Sequence, residues 1–118
     1  MGLLYKDYVL YETTVDTVSD DVQTYLNKLG AERRSVLRIR LTVEEILLNM
    51  IEHYGSGIKI SVGLGKQFGR HMLRLRYEAE PFNPVKSSED PLANDMIRSI
   101  GLFPAWNCRG KINTVSIV

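Results

Sequence analysis

Apolar and polar residues alternate near the start of the chain and then repeat at helical spacing. Residues 6–15 alternate and are rich in Tyr, Val and Thr, a pattern that predicts a β-strand. Ser19 is the expected N-cap of a first helix, because acidic residues that suit a helix N-terminus follow it, and Gly30 is its expected end. The spacing of the apolar residues then predicts a second helix from Ser35 to Tyr54.

The second half of the chain has the pattern of two hairpins separated by a third helix. Residues 58–65 and 72–79 alternate on either side of a glycine-containing turn. A proline suits the first turn of a helix over residues 91–100, and a final hairpin joins residues 104–109 to residues 112–118. This order predicts an α+β two-layer sandwich, with three helices packed on one face of a mostly antiparallel sheet.

Length and composition are those of one ordinary globular domain, residues 1–118. The chain is 44% apolar and 25% charged, and its net charge of +1 gives no general electrostatic reason to expect nucleic acid as a partner. Its single cysteine, Cys108, excludes an intrachain disulfide and favours a reducing, cytoplasmic compartment. No apolar run is long enough to span a bilayer and the first residues do not resemble a signal peptide, so we expect no membrane insertion of this chain.

Charge is distributed unevenly along the chain. Residues 1–30 carry two basic and five acidic side chains, whereas residues 31–76 carry nine basic and four acidic ones. The middle third is therefore where the local field favours an anionic ligand. A solvated basic surface gives the same pattern, so charge alone leaves both interpretations open.

On a helical wheel the second helix has one polar stripe and is apolar over most of its remaining surface. The stripe fills an arc of about 100° and consists of Arg38, Thr42, Glu45, Asn49, Glu52 and His53. Glu45 and Asn49 lie one turn apart, so an amide oxygen that can ligate Mg²⁺ lies next to a carboxylate that can orient or deprotonate a water. The stripe is either a polar site beside the core or an ordinary exposed face.

The second helix also resembles a known ATPase motif. Residues 40–55, RLTVEEILLNMIEHYG, resemble the N-box helix of the GHKL family, which includes sensor histidine kinases and DNA gyrase, and look most like its anti-sigma-factor serine kinase branch. The turn Pro81-Phe82-Asn83-Pro84 and the hairpin entry at residues 110–113 are similar to that branch as well. The resemblance extends from about residue 8 to residue 118. It implies a histidine kinase-like ATPase domain with the Bergerat-type fold, which would bind ATP and Mg²⁺.

The resemblance also implies roles for individual residues. Glu45 would be the catalytic general base and Asn49 the Mg²⁺ ligand. The ATP-binding residues that it implies are Asn49, His53, Tyr77, Glu78, Ala79, Phe82 and Thr114. The nucleotide would lie between the second helix, residues 77–84 and the third helix, and a serine or threonine of a partner protein would accept the phosphoryl group.

Two glycine motifs of the family are missing from this chain. The adenine-binding Asp-x-Gly falls on Tyr77, Glu78 and Ala79, and no glycine lies between Pro81 and Gly101, where the family has its phosphate-covering lid. Glycine matters there because backbone amides approach a phosphate best where no Cβ intervenes.

Two functions therefore stay open from the sequence. One is an ATP- and Mg²⁺-binding regulatory domain that phosphorylates or sequesters a partner protein. The other is a degenerate, nucleotide-free relative that acts as a protein-interaction module, or as a domain excised from a larger protein. The first strand is partly apolar on both faces over residues 5–13, which predicts a homodimer through that strand.

Overall fold

An antiparallel sheet with two helices makes up the part of the chain that a computed structural model describes, residues 3–67, 70–85 and 104–117. The elements in chain order are β1 (Leu4–Leu10), α1 (Glu12–Lys28), α2 (Arg33–Tyr54), β2 (Ile58–Gln67), β3 (Arg70–Glu78), β4 (Ala105–Arg109) and β5 (Ile112–Ile117). The predicted third helix, residues 91–100, and the loop of residues 86–90 lie outside the described residues.

The five strands are ordered β1-β2-β3-β5-β4, and every neighbouring pair is antiparallel. The inward-facing side chains of the sheet join those of both helices in one apolar core. Its fully buried members include Leu10, Val18, Val43, Leu47 and Leu75. The predicted α+β class with an antiparallel sheet is confirmed, with two helices among the described residues.

The boundary between β1 and α1 differs from the prediction. The strand ends at Leu10 and the helix begins at Glu12, so residues 11–15 do not continue the strand. Thr14 accounts for the early start, because its Oγ1 accepts a hydrogen bond from the Tyr11 backbone N–H at 3.1 Å. The same hydroxyl donates to the Val9 carbonyl at 2.7 Å and so joins the end of the strand to the first turn of the helix.

Ser19 lies inside α1 and is not an N-cap. Its side chain is fully buried, and its hydroxyl donates to the Val15 carbonyl at 2.8 Å, four residues earlier. Serine favours helix N-termini because its hydroxyl forms hydrogen bonds with nearby backbone groups in place of the helical ones. Here the hydroxyl of Ser19 is already hydrogen-bonded within the helix, which removes that preference. The prediction was wrong because the apolar spacing of α1 begins at Val15, one turn before Ser19.

α2 is one continuous helix that ends at Tyr54 as predicted and begins two residues earlier than expected, at Arg33. Gly55 stops it with a positive φ of 81°, a conformation that glycine adopts without strain. The Gly55 N–H still donates to the Ile51 carbonyl at 2.8 Å, which satisfies one of the last carbonyls of the helix. Neither described helix is long and apolar enough to cross a membrane.

Part of the surface of α2 that the wheel predicts to be apolar faces outward. Leu37, Leu41 and Leu48 are all exposed, whereas Thr42 and Asn49 from the polar stripe are buried. The reason is the two-layer packing. The sheet and α1 pack against other sides of the helix than the one that carries these leucines, and the polar stripe faces the segment that follows β3. This arrangement positions the candidate site described below.

The role of Thr14 can be tested by Thr14→Val, which keeps the shape of the side chain and removes the hydroxyl. We expect the free energy of unfolding to fall by about 1 kcal/mol, as for the loss of other helix-capping hydroxyls. Urea denaturation followed by circular dichroism measures this change. The control is Thr13→Val on the neighbouring exposed position, for which we expect a change within about 0.5 kcal/mol. Equal losses in the two variants would contradict the capping role.

Candidate functional site

The polar stripe of α2 meets the segment that follows β3, and Asn49 is the central contact. Asn49 is only 4% exposed, and its Nδ2 donates to the Pro84 carbonyl at 2.7 Å. The loop of residues 81–85 is itself braced, because the Asn83 side-chain oxygen accepts a hydrogen bond from the Val85 N–H at 3.0 Å. A buried amide thus holds a preformed turn against the helix.

One helical turn further along, His53 stacks on Phe82. Their ring centroids are 3.7 Å apart and the ring planes differ by 5°. Tyr54 packs edge-on against Phe82 and Tyr77, with centroid distances of 5.6 and 6.0 Å, and its hydroxyl donates to the Glu80 carbonyl. His53, Tyr54, Tyr77 and Phe82 form what we call the aromatic cluster, which joins the end of α2 to the end of β3.

Tyr77 is the buried residue of the aromatic cluster. It is 2% exposed, and its hydroxyl lies 3.4 Å from the Phe82 carbonyl, to which it donates. Burial raises the pKa of the phenol well above its usual value, and the neighbouring Tyr54 and Cys108 raise it further. Tyr77 is therefore a neutral hydrogen-bond donor, where the resemblance would require a carboxylate.

Asn113 completes the site, and the sequence reasoning did not assign it a role. It is fully buried and lies opposite Tyr77 in the β3–β5 register. Its Nδ2 donates to the carbonyls of Ala79 at 2.9 Å and Lys111 at 3.2 Å, and its Oδ1 accepts from Trp106 Nε1 at 3.0 Å. A polar residue among the alternating apolar residues of β5 was the signal that could have identified it.

The structure brings some of the predicted site residues together and separates others. Asn49, His53, Tyr77, Phe82 and Ala79 gather around the junction of α2 with the end of β3, and Glu45 lies half-buried one turn before Asn49.

Glu78 and Thr114 lie on the outward face of the sheet, away from the helices. Side chains alternate along a strand, so Glu78 faces away from Tyr77 and Thr114 faces away from Asn113. Thr114 is paired in register with Arg76 on that outward face. Asn113, and not Thr114, is therefore the β5 residue next to the other predicted site residues.

The residues at the adenine end do not fit an adenine nucleotide. Tyr77 presents no carboxylate to an adenine amino group, and the Ala79 backbone is already used, because its N–H donates to the Lys111 carbonyl at 2.8 Å. Phe82 covers His53, so the space beside the helix is taken by the aromatic cluster. Among the described residues, no three His, Cys, Asp or Glu side chains are grouped so that they could hold a metal ion.

The larger of the two cavities described in the structure lies elsewhere, on the outward face of the sheet. It is an open depression of about 940 Å³, lined by strands β1, β2, β3 and β5 and by the residues next to them. Its outward-facing lining includes Asp7, Lys59, Ser61, Arg76 and Glu78. Neither Glu45 nor Asn49 lines it.

Comparison of the chain with protein-family models and with curated proteins found no match. The resemblance of α2 to an N-box helix therefore stays a prediction that rests on the residues themselves.

The raised pKa of Tyr77 predicts how stability changes at alkaline pH. Because the pKa in the folded state lies above the unfolded value of about 10, the stability linked to the neutral phenol is complete below pH 10 and is lost as the pH rises above it. We expect Tyr77→Phe to make the alkaline decline in unfolding free energy shallower, by up to about 1.4 kcal/mol per pH unit. Urea denaturation at pH values from about 9 to 12 measures this slope.

The matched control is Tyr11→Phe, because the Tyr11 side chain is exposed at the start of α1. We expect its alkaline decline to follow that of the unsubstituted chain. A Tyr77→Phe variant with an unchanged slope would mean that the phenol is not held neutral by burial.

Proposed function

We propose that this chain is a regulatory protein-interaction module with a GHKL-like scaffold, whose former nucleotide site is closed by its own side chains. The observation that carries the proposal is the contact between α2 and the loop of residues 81–85. Asn49 and His53, which the resemblance assigns to metal and nucleotide, instead bind Pro84 and Phe82. A module of this kind acts through the partner that it binds and not through turnover of ATP.

The adenine end of the site supports this proposal. The aspartate that the resemblance implies at this position is replaced by Tyr77, which is buried and held neutral. Asn113 fixes the backbone at Ala79 and so prevents the end of β3 from shifting its register to present Glu78 inward. Restoring an adenine site would therefore require the loss of several buried hydrogen bonds, each of which leaves a group unsatisfied at a cost of about 1–3 kcal/mol.

The outward face of the sheet is the surface that we assign to the partner. Its described side chains include four cations, Lys59, Arg74, Arg76 and Arg109, against the carboxylates of Asp7 and Glu78. Asp7 already accepts a hydrogen bond from Ser61 at 2.6 Å. A partner that presents carboxylates suits this face, because complementary charge favours the encounter and fixes the orientation.

A second candidate function is binding of Mg²⁺ together with the phosphates of ATP. One observation favours it: Glu45 and Asn49 lie on the same face of α2, one turn apart. The hydrogen bond to Pro84 uses the amide nitrogen of Asn49, whereas a hard cation would be held by the amide oxygen. This candidate requires the loop of residues 81–85 to move away from the helix.

Thermal unfolding with and without 5 mM ATP and Mg²⁺ distinguishes the two candidates. We expect a change in Tm below about 1 °C, because a closed site gives the nucleotide no preference for the folded state. Binding with a Kd near 10 μM would stabilise the fold by about 2.7 kcal/mol at 1 mM ligand, which raises Tm by on the order of 10 °C.

Asn49→Ala and Mg²⁺ with GTP are the controls for this measurement. A shift of several degrees that is selective for ATP over GTP, and that disappears in Asn49→Ala, would contradict the proposed function and favour the second candidate. A small shift that is the same for ATP and GTP and persists in Asn49→Ala reflects general binding of polyanions to basic side chains.

A further inference from the structure

The solvent-facing side of α2 carries leucines, while two polar residues of the same helix are buried. Leu37, Leu41 and Leu48, which we call the leucine row, are 45%, 44% and 44% exposed. Thr42 and Asn49 are 0% and 4% exposed. Five of the seven buried residues of α2 are apolar, so the helix already packs on the core by one apolar face. The leucine row is a second apolar patch that faces solvent, and such a patch marks an interaction surface.

The leucine row has the spacing of a seam between two helices. Its members fall within an arc of about 40° at 100° per residue. Steps of four, three, four and three residues lead from Leu37 through Glu44 to Ile51, as along the contact line of a coiled coil. The charge of Glu44 is compensated within the helix, because its carboxylate accepts a hydrogen bond from Arg40 Nε at 3.0 Å. The exposed side of α2 therefore suits another helix.

The charges along α2 indicate which helix would pack against its exposed side. The N-terminal half of α2 carries Arg33, Arg34, Arg38 and Arg40, and the C-terminal half carries Glu44, Glu45 and Glu52. A second α2 in antiparallel orientation brings each basic half against an acidic half. In the register that places Leu37 opposite Leu48 of the second copy, Arg34 and Glu52 of that copy lie at nearly the same height and on the same side of the leucine row.

We propose that α2 pairs with α2 of a second copy of this chain through the leucine row, antiparallel and about a two-fold axis. Two-fold symmetry requires a self-complementary surface, which the opposed charges and the leucine row together provide. The row is small beside the roughly 800 Å² per partner of a standard interface, so the dimer is weak, with a Kd on the order of 100 μM. The proposal does not depend on the proposed function, and its interface differs from the β1 strand that the sequence predicts.

Sedimentation velocity of the full chain over concentrations from about 10 to 500 μM tests the proposal. We expect a monomer–dimer equilibrium in the unsubstituted chain and at least a tenfold weaker dimer in Leu41→Arg. The control is Leu4→Arg on β1, which is 78% exposed, and we expect its dimer to be as stable as that of the unsubstituted chain. Circular dichroism of each variant checks that the fold is retained.

A charge exchange tests the antiparallel register even if Leu41→Arg fails to fold. Arg34 and Glu52 are both exposed, and neither has an ion-pair partner within the described part of the chain. We expect Arg34→Glu to weaken the dimer several-fold and the double variant Arg34→Glu with Glu52→Arg to restore it. A monomer at all concentrations, a dimer unaffected by Leu41→Arg, a dimer lost in Leu4→Arg, or a charge exchange without rescue would each overturn the proposal.

Discussion

The burial of the Asn49 amide between α2 and the loop of residues 81–85 is the constraint on which the arrangement of the candidate site depends. An amide that is 4% exposed must find a partner within the protein, and its partner is the carbonyl of Pro84. Losing that partner would leave the amide unsatisfied at a cost of about 1–3 kcal/mol. The loop of residues 81–85 is therefore held on the helix, and Phe82 within that loop is brought onto His53.

A second buried amide holds the other side of the site. Asn113 joins the carbonyls of Ala79 and Lys111 and accepts a hydrogen bond from Trp106, so three chain segments meet at one side chain. Tyr77 lies opposite it in the register, packs edge-on against Tyr54 and donates to the Phe82 carbonyl. Two satisfied amides and an aromatic cluster therefore occupy the region where the resemblance implies a nucleotide. Among the described residues, the surfaces that we propose for interaction are the cationic outward face of the sheet and the leucine row of α2.

Elements with a strongly periodic pattern of apolar residues were predicted correctly from the sequence. Prediction was less successful where the same residues suit both a strand and a helix. The hairpin strands, the length of α2 and the α+β class follow from patterns that extend over many residues. The start of α1 was misjudged because Thr and Val suit a strand and a helix equally well, and because the decisive hydrogen bonds of Thr14 join it to β1.

Which arc of α2 faces solvent could not be predicted from the sequence, because it depends on which elements pack against the helix. The wheel identified the polar stripe and the apolar remainder of the helix, but the structure buries Asn49 of the stripe and exposes Leu41 of the apolar remainder. The choice between Asn113 and Thr114 depended on the strand register in the same way, since neighbouring residues face opposite sides of the sheet. The position of a residue within a motif does not by itself show which side of a helix or sheet its side chain faces.

The closure of the site by its own loop is tested most directly by NMR contacts between the rings of His53 and Phe82. Nuclear Overhauser effects between the two rings should be strong, and the Asn49 side-chain amide protons should exchange slowly with water. Both observations should persist when 5 mM ATP and Mg²⁺ are added. Absence of the ring contacts, or their loss together with faster Asn49 exchange when the nucleotide is added, would contradict a closed site.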